Sequence, residues 1–248
     1  MRVWAHGCGR AVLLILLMAS LAGCGGLKNL GSDILSRFFG DVEDRGPAEL
    51  AAYGEECLEK GRYGAAAEAF QQIKDRYPYS PYVVTAELRM ADALFMRGEY
   101  NSAYEAYDEF ERLHPRNEHI PYVIYRKGEC YMEQVSTIDR DQSNTRRAKE
   151  EYERLLKRFP GDDYAKLAWT RLRTCLIYLA EYELYVGHFY FKQGHYRAAM
   201  GRYRYIIENY PDTGQYHEAL EYMSLCKEKL AAKEAEEDED KEEDQEEA

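Results

Sequence analysis

The stretch Tyr63–Pro78, YGAAAEAFQQIKDRYP, decides the fold, because its spacing returns three more times in the chain. From Ala66 an aromatic residue follows four positions later (Phe70), an apolar one three beyond it (Ile73), and Pro78 five beyond that. The same places hold Ala103, Tyr107, Phe110 and Pro115, then Ala148, Tyr152, Leu155 and Pro160, then Ala199, Tyr203, Ile206 and Pro211. Tyr63, Tyr100 and Tyr196 open three of the four segments. Steps of four and three put these side chains on one face of a helix. Proline ends that helix, because it has no N–H to continue the ladder. Four copies with twelve residues from Ala to Pro in every one mark a repeat array rather than unrelated helices.

Upstream of each copy lies a second helical pattern centred on a small residue: Gly54 with Cys57, Ala91 with Leu94, Gly128 with Tyr131 and Gly187 with Tyr190. The small residue allows close approach of two helices, and the aromatic residues of the second helix are expected to fill the gap to the next repeat. Gly61, Gly98 and Gly194 fall in the turn between the two helices, where a left-handed backbone is expected. This is the tetratricopeptide pattern. It predicts an all-α solenoid of antiparallel helix pairs, four clear repeats plus a partial fifth, over residues 47–232. The repeats begin near Pro47, Val84 and Pro121. The third carries about eight extra, polar residues around Val135–Thr145, read as a loop. Asp163–Lys192 reads as one long helix or two nearly continuous ones, and a last helix over 215–232 is expected to close the solenoid.

The two ends are of another kind. Arg2 and Arg10 precede an apolar run, Ala11–Leu21, that is too short to span a bilayer and suits a signal peptide over residues 1–23. The run ends in Leu21-Ala22-Gly23-Cys24, a bacterial lipobox, so Cys24 is expected to become a lipidated N-terminus on a tether over residues 24–46. Three acyl chains exceed what stable anchoring requires. Gly25 after the cysteine favours the outer membrane, on its periplasmic face. At the other end, the stretch 231–248 holds eleven acids and two lysines, so most of the formal charge of −12 resides there and not on the repeats. Residues 233–248 are expected to be disordered. No basic patch suggests nucleic acid. Four cysteines remain in the mature body, Cys57, Cys130, Cys175 and Cys226, each inside an apolar helical pattern, which predicts buried free thiols.

No residue constellation suggests an enzyme, a metal or a cofactor: the pairs His114/His119 and His188/His195 have no third ligand at helical spacing, and no nucleophile elbow or phosphate loop is present. The array is therefore expected to work by binding other proteins. In such arrays the first helix of each repeat lines the concave face. Its register offers Glu55, Leu58 and Glu59, then Leu88, Asp92, Phe95 and Met96, then Tyr122, Tyr125, Glu129, Met132 and Glu133, then Leu184, His188 and Phe191. Aromatic, methionine and carboxylate side chains together suit an extended, aromatic-rich peptide.

The segment Leu179–Thr213 carries Glu183, Val186, Tyr190 and Gly194 at fixed spacing, then an Ala-Ala pair and a closing YPDT. With RYPYSPY at Arg76–Tyr82 and the run His114–Gly128, it resembles the BamD family of outer membrane protein assembly factors. The resemblance covers nearly the whole mature chain to about Leu230. It implies a lipoprotein of the β-barrel assembly complex that contacts the periplasmic POTRA region of the barrel-forming subunit BamA and receives unfolded outer-membrane protein precursors. On the family's pattern Arg202 is the contact to BamA. Tyr77 belongs to the precursor surface, with Tyr82, Phe95, Met96, Tyr122 and Tyr125 as further groove candidates. The truncated fifth repeat and the acidic tail depart from the family, and they bear on contacts to accessory lipoproteins. The competing reading is a periplasm-facing repeat scaffold that coordinates cell-wall enzymes. It shares fold and anchor, and the fourth-repeat signature and RYPYSPY stand against it.

Overall fold

The computed structural model describes residues 45–246; the signal peptide, Cys24 and all but the last two residues of the tether lie outside them. The described residues form α1 (Pro47–Glu59), α2 (Tyr63–Arg76), α3 (Val83–Met96), α4 (Tyr100–Leu113), α5 (Ile120–Met132), α6 (Ser143–Arg158), α7 (Asp163–Lys192), α8 (Tyr196–Asn209) and α9 (Tyr216–Glu246), with no strand among them. Each helix packs chiefly on its neighbours in the chain, so the array is a tetratricopeptide solenoid.

Local chemistry sets the helix ends. Pro47 and Pro121 occupy first-turn positions, where a missing N–H costs nothing. Asp162 caps the 30-residue α7 by accepting a hydrogen bond from the Tyr164 N–H at 2.8 Å. Gly61, Gly98 and Gly194 have φ of 68°, 81° and 73°, the left-handed turn expected of them. The residue after each glycine donates its N–H to a carbonyl five back: Arg62 to Cys57, Glu99 to Leu94, His195 to Tyr190. The third hairpin lacks such a glycine and uses its inserted residues. There Gln142 is buried, donates to the Thr137 and Arg140 carbonyls at 3.3 and 3.1 Å, and accepts from the Thr145 hydroxyl at 2.8 Å.

Packing extends one expectation. The second-helix aromatics sit beneath the small residue of their own hairpin and also reach the next repeat, where Tyr107 meets Tyr122 and Tyr203 meets Tyr222. A Cβ added at Gly54 would lie 2.6 Å from the Phe70 ring, at Gly128 2.4 Å from Tyr152, and at Gly187 2.5 Å from Tyr203. The apolar interior falls into three clusters. The first joins repeat one to Ala86 and Ala93 of α3. The second joins α3–α6 to Ala168 and Cys175 of α7. The third joins Leu179 and Ala180 of α7 to α8 and α9. The 30-residue α7 is thus one continuous helix whose first half closes repeat three and whose second half opens repeat four.

The last helix also differs from expectation. It runs to Glu246, through the acidic stretch expected to be disordered from residue 233. Ala219 and Cys226 are buried, whereas residues 231–237 are exposed. Ala, Glu and Lys have high helix propensity, and a packed base removes the cost of nucleation, so the backbone continues without an apolar face.

Cys57, Cys130, Cys175 and Cys226 are free and buried. Burial pushes the Cys130 and Cys175 thiols up to about 12. At pH 8 roughly one in ten thousand of either is a thiolate. Native protein treated with iodoacetamide at pH 8 should therefore leave both unlabelled while urea-unfolded protein labels fully. Mass spectrometry checks this, and rapid native labelling would mean that the second cluster opens readily.

Candidate functional site

The residue after the small one in each first helix, Glu55, Asp92, Glu129 and His188, lies on the concave side and meets the next first helix. Arg89 holds Glu55 with two hydrogen bonds of 2.8 Å. Asp92 is 6% exposed and accepts from the Tyr107 and Tyr122 hydroxyls, both at 2.6 Å, and from Arg89 at 3.2 Å. Glu129 accepts from Tyr152 at 2.5 Å and from Arg171 at 2.7 Å. Asp92 and Glu129 are therefore buried and matched internally, and they are not free to meet a peptide, whereas Glu133 at the end of α5 is exposed. Leu88 is buried too. In repeat four the pattern changes: His188 packs on Tyr222 with ring centroids 4.3 Å apart, and its Nε2 lies 3.6 Å from Glu218, too far for a hydrogen bond. Burial lowers the His188 pKa, so the neutral imidazole is favoured.

What the groove exposes is aromatic and cationic. The Arg126 guanidinium lies 3.6 Å from the Phe95 ring centroid, which also meets Tyr100 edge-on at 5.2 Å. Arg126 also faces Tyr122 at 5.8 Å, and Tyr164 joins Tyr122 and Tyr125, with centroids 5.2 and 5.7 Å apart. A hollow of about 580 Å³ opens beside this run, walled by Arg89, Asp92, Tyr122 and Tyr164. The structure thus brings Phe95, Tyr122 and Tyr125 together. Met96 stands exposed at the end of α3. Tyr77 and Tyr82 fall on the α2–α3 connection: Tyr77 is half-buried and donates to the Arg45 carbonyl at 3.1 Å, and Tyr82 is exposed. Leu184 and Phe191 pack into the third cluster. The sequence register missed Arg126, Arg171 and Tyr164. Their signal was the spacing from the neighbouring concave residue, three before Glu129 for Arg126, and for the other two the capped start of α7.

Arg202, on α8, donates from Nη1 to Glu183 Oε2 at 2.9 Å. Its side chain is 42% exposed while that of Glu183 is 12% exposed, so one edge of the guanidinium is anchored and the rest faces outward. Among the described residues no helix is long and apolar enough to cross a membrane, and no three His, Cys, Asp or Glu side chains are placed to hold a metal.

A stack of antiparallel helix pairs with an aromatic groove is a protein of the tetratricopeptide-repeat class. The chain matches the YfiO family of outer membrane lipoproteins over residues 43–242 and belongs to that family. It is 31% identical to the outer membrane protein assembly factor BamD of Rickettsia prowazekii, covering 84% of this chain and 78% of that one. It is 30% identical to the protein of the same name from Caulobacter vibrioides, again over 84% of this chain and 66% of that one, just under two thirds of its length. It is therefore a member of a family of outer membrane protein assembly factors. Among solved structures, a thermophilic tetratricopeptide-repeat protein of Thermus thermophilus matches 75% of this chain and all of its own, at 16% identity and a TM-score of 0.41.

Proposed function

We propose that this chain is the repeat lipoprotein of a β-barrel assembly complex, anchored through Cys24 on the periplasmic face of the outer membrane. It binds the POTRA region of the barrel-forming subunit BamA through Arg202 and the fourth repeat. It receives unfolded outer-membrane precursors along Tyr77, Tyr82, Phe95, Met96, Tyr122 and Tyr125. Membership of the assembly-factor family supports the reading. The observation that carries the BamA contact is Arg202 itself, a guanidinium pre-oriented by Glu183 yet open to a second carboxylate. The run Phe95–Arg126–Tyr122–Tyr164–Tyr125 supports the precursor groove, since ring faces and a guanidinium accept aromatic side chains of many sequences.

The test is capture of BamA from detergent-solubilised outer membranes by tagged lipoprotein, whose recovery in that fraction also reads the anchor. Arg202→Glu should lower capture by about tenfold or more, as expected for a central charged contact. Because that change also sets a carboxylate against Glu183, the swap Glu183→Arg with Arg202→Glu is the control. It restores the internal pair but not the outward positive charge at position 202, so capture should stay low. Full capture by either variant would sink the Arg202 assignment, and recovery of cell-wall enzymes in place of BamA would sink the assembly reading.

A further inference from the structure

Counting from the small residue of each first helix, positions five before, two before and two after face the preceding repeat. In repeat two these are Ala86, Arg89 and Ala93, and both alanines are buried in the cluster built from repeat one. In repeat three they are Val123, Arg126 and Cys130. Val123 and Cys130 are fully buried in the cluster that joins repeat two to repeat three. Repeat one has no preceding repeat among the described residues and places Glu49, Ala52 and Glu56 there, all exposed, as a solenoid end should. Repeat four holds Tyr182, Tyr185 and Phe189. Tyr185 is 48% exposed and Phe189 55%.

The cause is α7. Its first half, through Ala168 and Cys175, already occupies the face that α6 offers, so its second half extends beyond repeat three and, among the described residues, leaves Tyr185 and Phe189 exposed on its leading side. A free end built like repeat one would be polar. This one carries large aromatic rings instead: Tyr182 and Phe189 stand where repeats two and three bury small or apolar side chains, and Tyr185 stands where they place the half-buried Arg89 and Arg126. Arg202 stands at the same edge: Glu183, which holds it, follows Tyr182 in the chain, and the Tyr182 hydroxyl lies close enough to act on it electrostatically.

We propose that the ridge Tyr182–Tyr185–Phe189 seats an α-helix of a partner protein, which takes the place filled elsewhere by the preceding repeat's second helix and turns a carboxylate toward Arg202. A helix fits because the same register receives α2 in repeat two and α4 in repeat three. A carboxylate fits because the outward edge of Arg202 is positive and the ridge itself contributes no charge. This rests on the reading that repeat four is the partner-binding end.

The experiment uses the full lipoprotein in outer membranes, with a photoreactive phenylalanine analogue placed in turn at Tyr185, Phe189 and, on the corresponding face of repeat one, Glu56. Adducts from positions 185 and 189 should map to partner residues three or four apart in sequence, and position 56 should not label that segment. Tyr185→Glu and Phe189→Glu, both at exposed sites, should keep the far-UV circular dichroism of the parent and lower capture of that partner by about tenfold or more. Adducts confined to lipid, to a second copy of this chain, to its own residues 25–44, or to a strand or loop of the partner would each overturn the proposal. The two readings separate cleanly. If capture of BamA depends on Arg202 but neither ridge variant alters it, the ridge proposal falls and the assembly reading stands. If the ridge labels a helix of a protein other than BamA, the proposal stands and the BamA assignment falls.

Discussion

Replacing Gly128 with alanine should destabilise the protein by about 2 kcal/mol, although alanine is the better helix former. The new Cβ would lie 2.4 Å from Cε1 of Tyr152, where carbon atoms normally rest about 3.5–4 Å apart. Relief requires moving the Tyr152 ring, which is fully buried and whose hydroxyl is held by Glu129 at 2.5 Å. Overpacking of a site that cannot yield costs up to about 3 kcal/mol, and the helix gain offsets roughly 1 kcal/mol of it. Gly201 supplies the contrast. It lies within α8 with nothing inside 4 Å of an added Cβ, so Gly201→Ala should stabilise by a few tenths to about 1 kcal/mol. Urea midpoints of the two variants beside the parent decide it. A Gly128→Ala protein as stable as the parent would show that α5 and α6 can separate at little cost.

Asp92→Ala should cost more, about 3–4 kcal/mol. One oxygen of Asp92 accepts from both Tyr107 and Tyr122, and the other from Arg89. Tyr107 is fully buried, so its hydroxyl has no route to water, and each stranded buried donor costs about 1–3 kcal/mol. Arg89 keeps Glu55 and loses less. Adding Tyr107→Phe and Tyr122→Phe to Asp92→Ala removes the stranded hydroxyls and should return at least half of the loss. A cost below about 1 kcal/mol for Asp92→Ala, or no recovery in the triple variant, would mean that the network does not lock repeat two to repeat three.

The outcome at Asp92 also explains why the groove was only partly legible in the sequence. The register placed Asp92 and Glu129 on the concave side, and both are there. Whether such a carboxylate is offered to a peptide depends on partners far along the chain. Tyr122 lies thirty residues after Asp92, and Arg171 forty-two after Glu129. No local pattern encodes those meetings, because they follow from the rise and twist between repeats. Phe95 was placed correctly, but its neighbour Arg126 was overlooked, since a lone arginine on a helix reads as solvated surface until a ring is found beneath it. Tyr77 and Tyr82 came from the resemblance to the family, and among the described residues Tyr77 bonds to the Arg45 carbonyl and the Tyr82 N–H to the Ser80 hydroxyl, away from the Phe95–Tyr125 run.

By itself the sequence determined the helices, their pairing and their turns. Steps of three and four define a helical face, Pro78, Pro115, Pro160 and Pro211 end the second helices, and Gly61, Gly98 and Gly194 accept the left-handed turn, all within a few residues of chain. It also determined membership of the assembly-factor family, which rests on spacing spread over most of the chain. Only the tertiary structure decided which polar groups are already satisfied and which faces stay open. The aromatic ridge shows why. Tyr182 and Phe189 occupy positions that are buried in repeats two and three, yet here Tyr182 is half-buried and Phe189 exposed, and what separates the cases is a 30-residue helix that runs straight past its neighbour. Burial belongs to the stack of helices, and the periodicity of a single helix cannot report it.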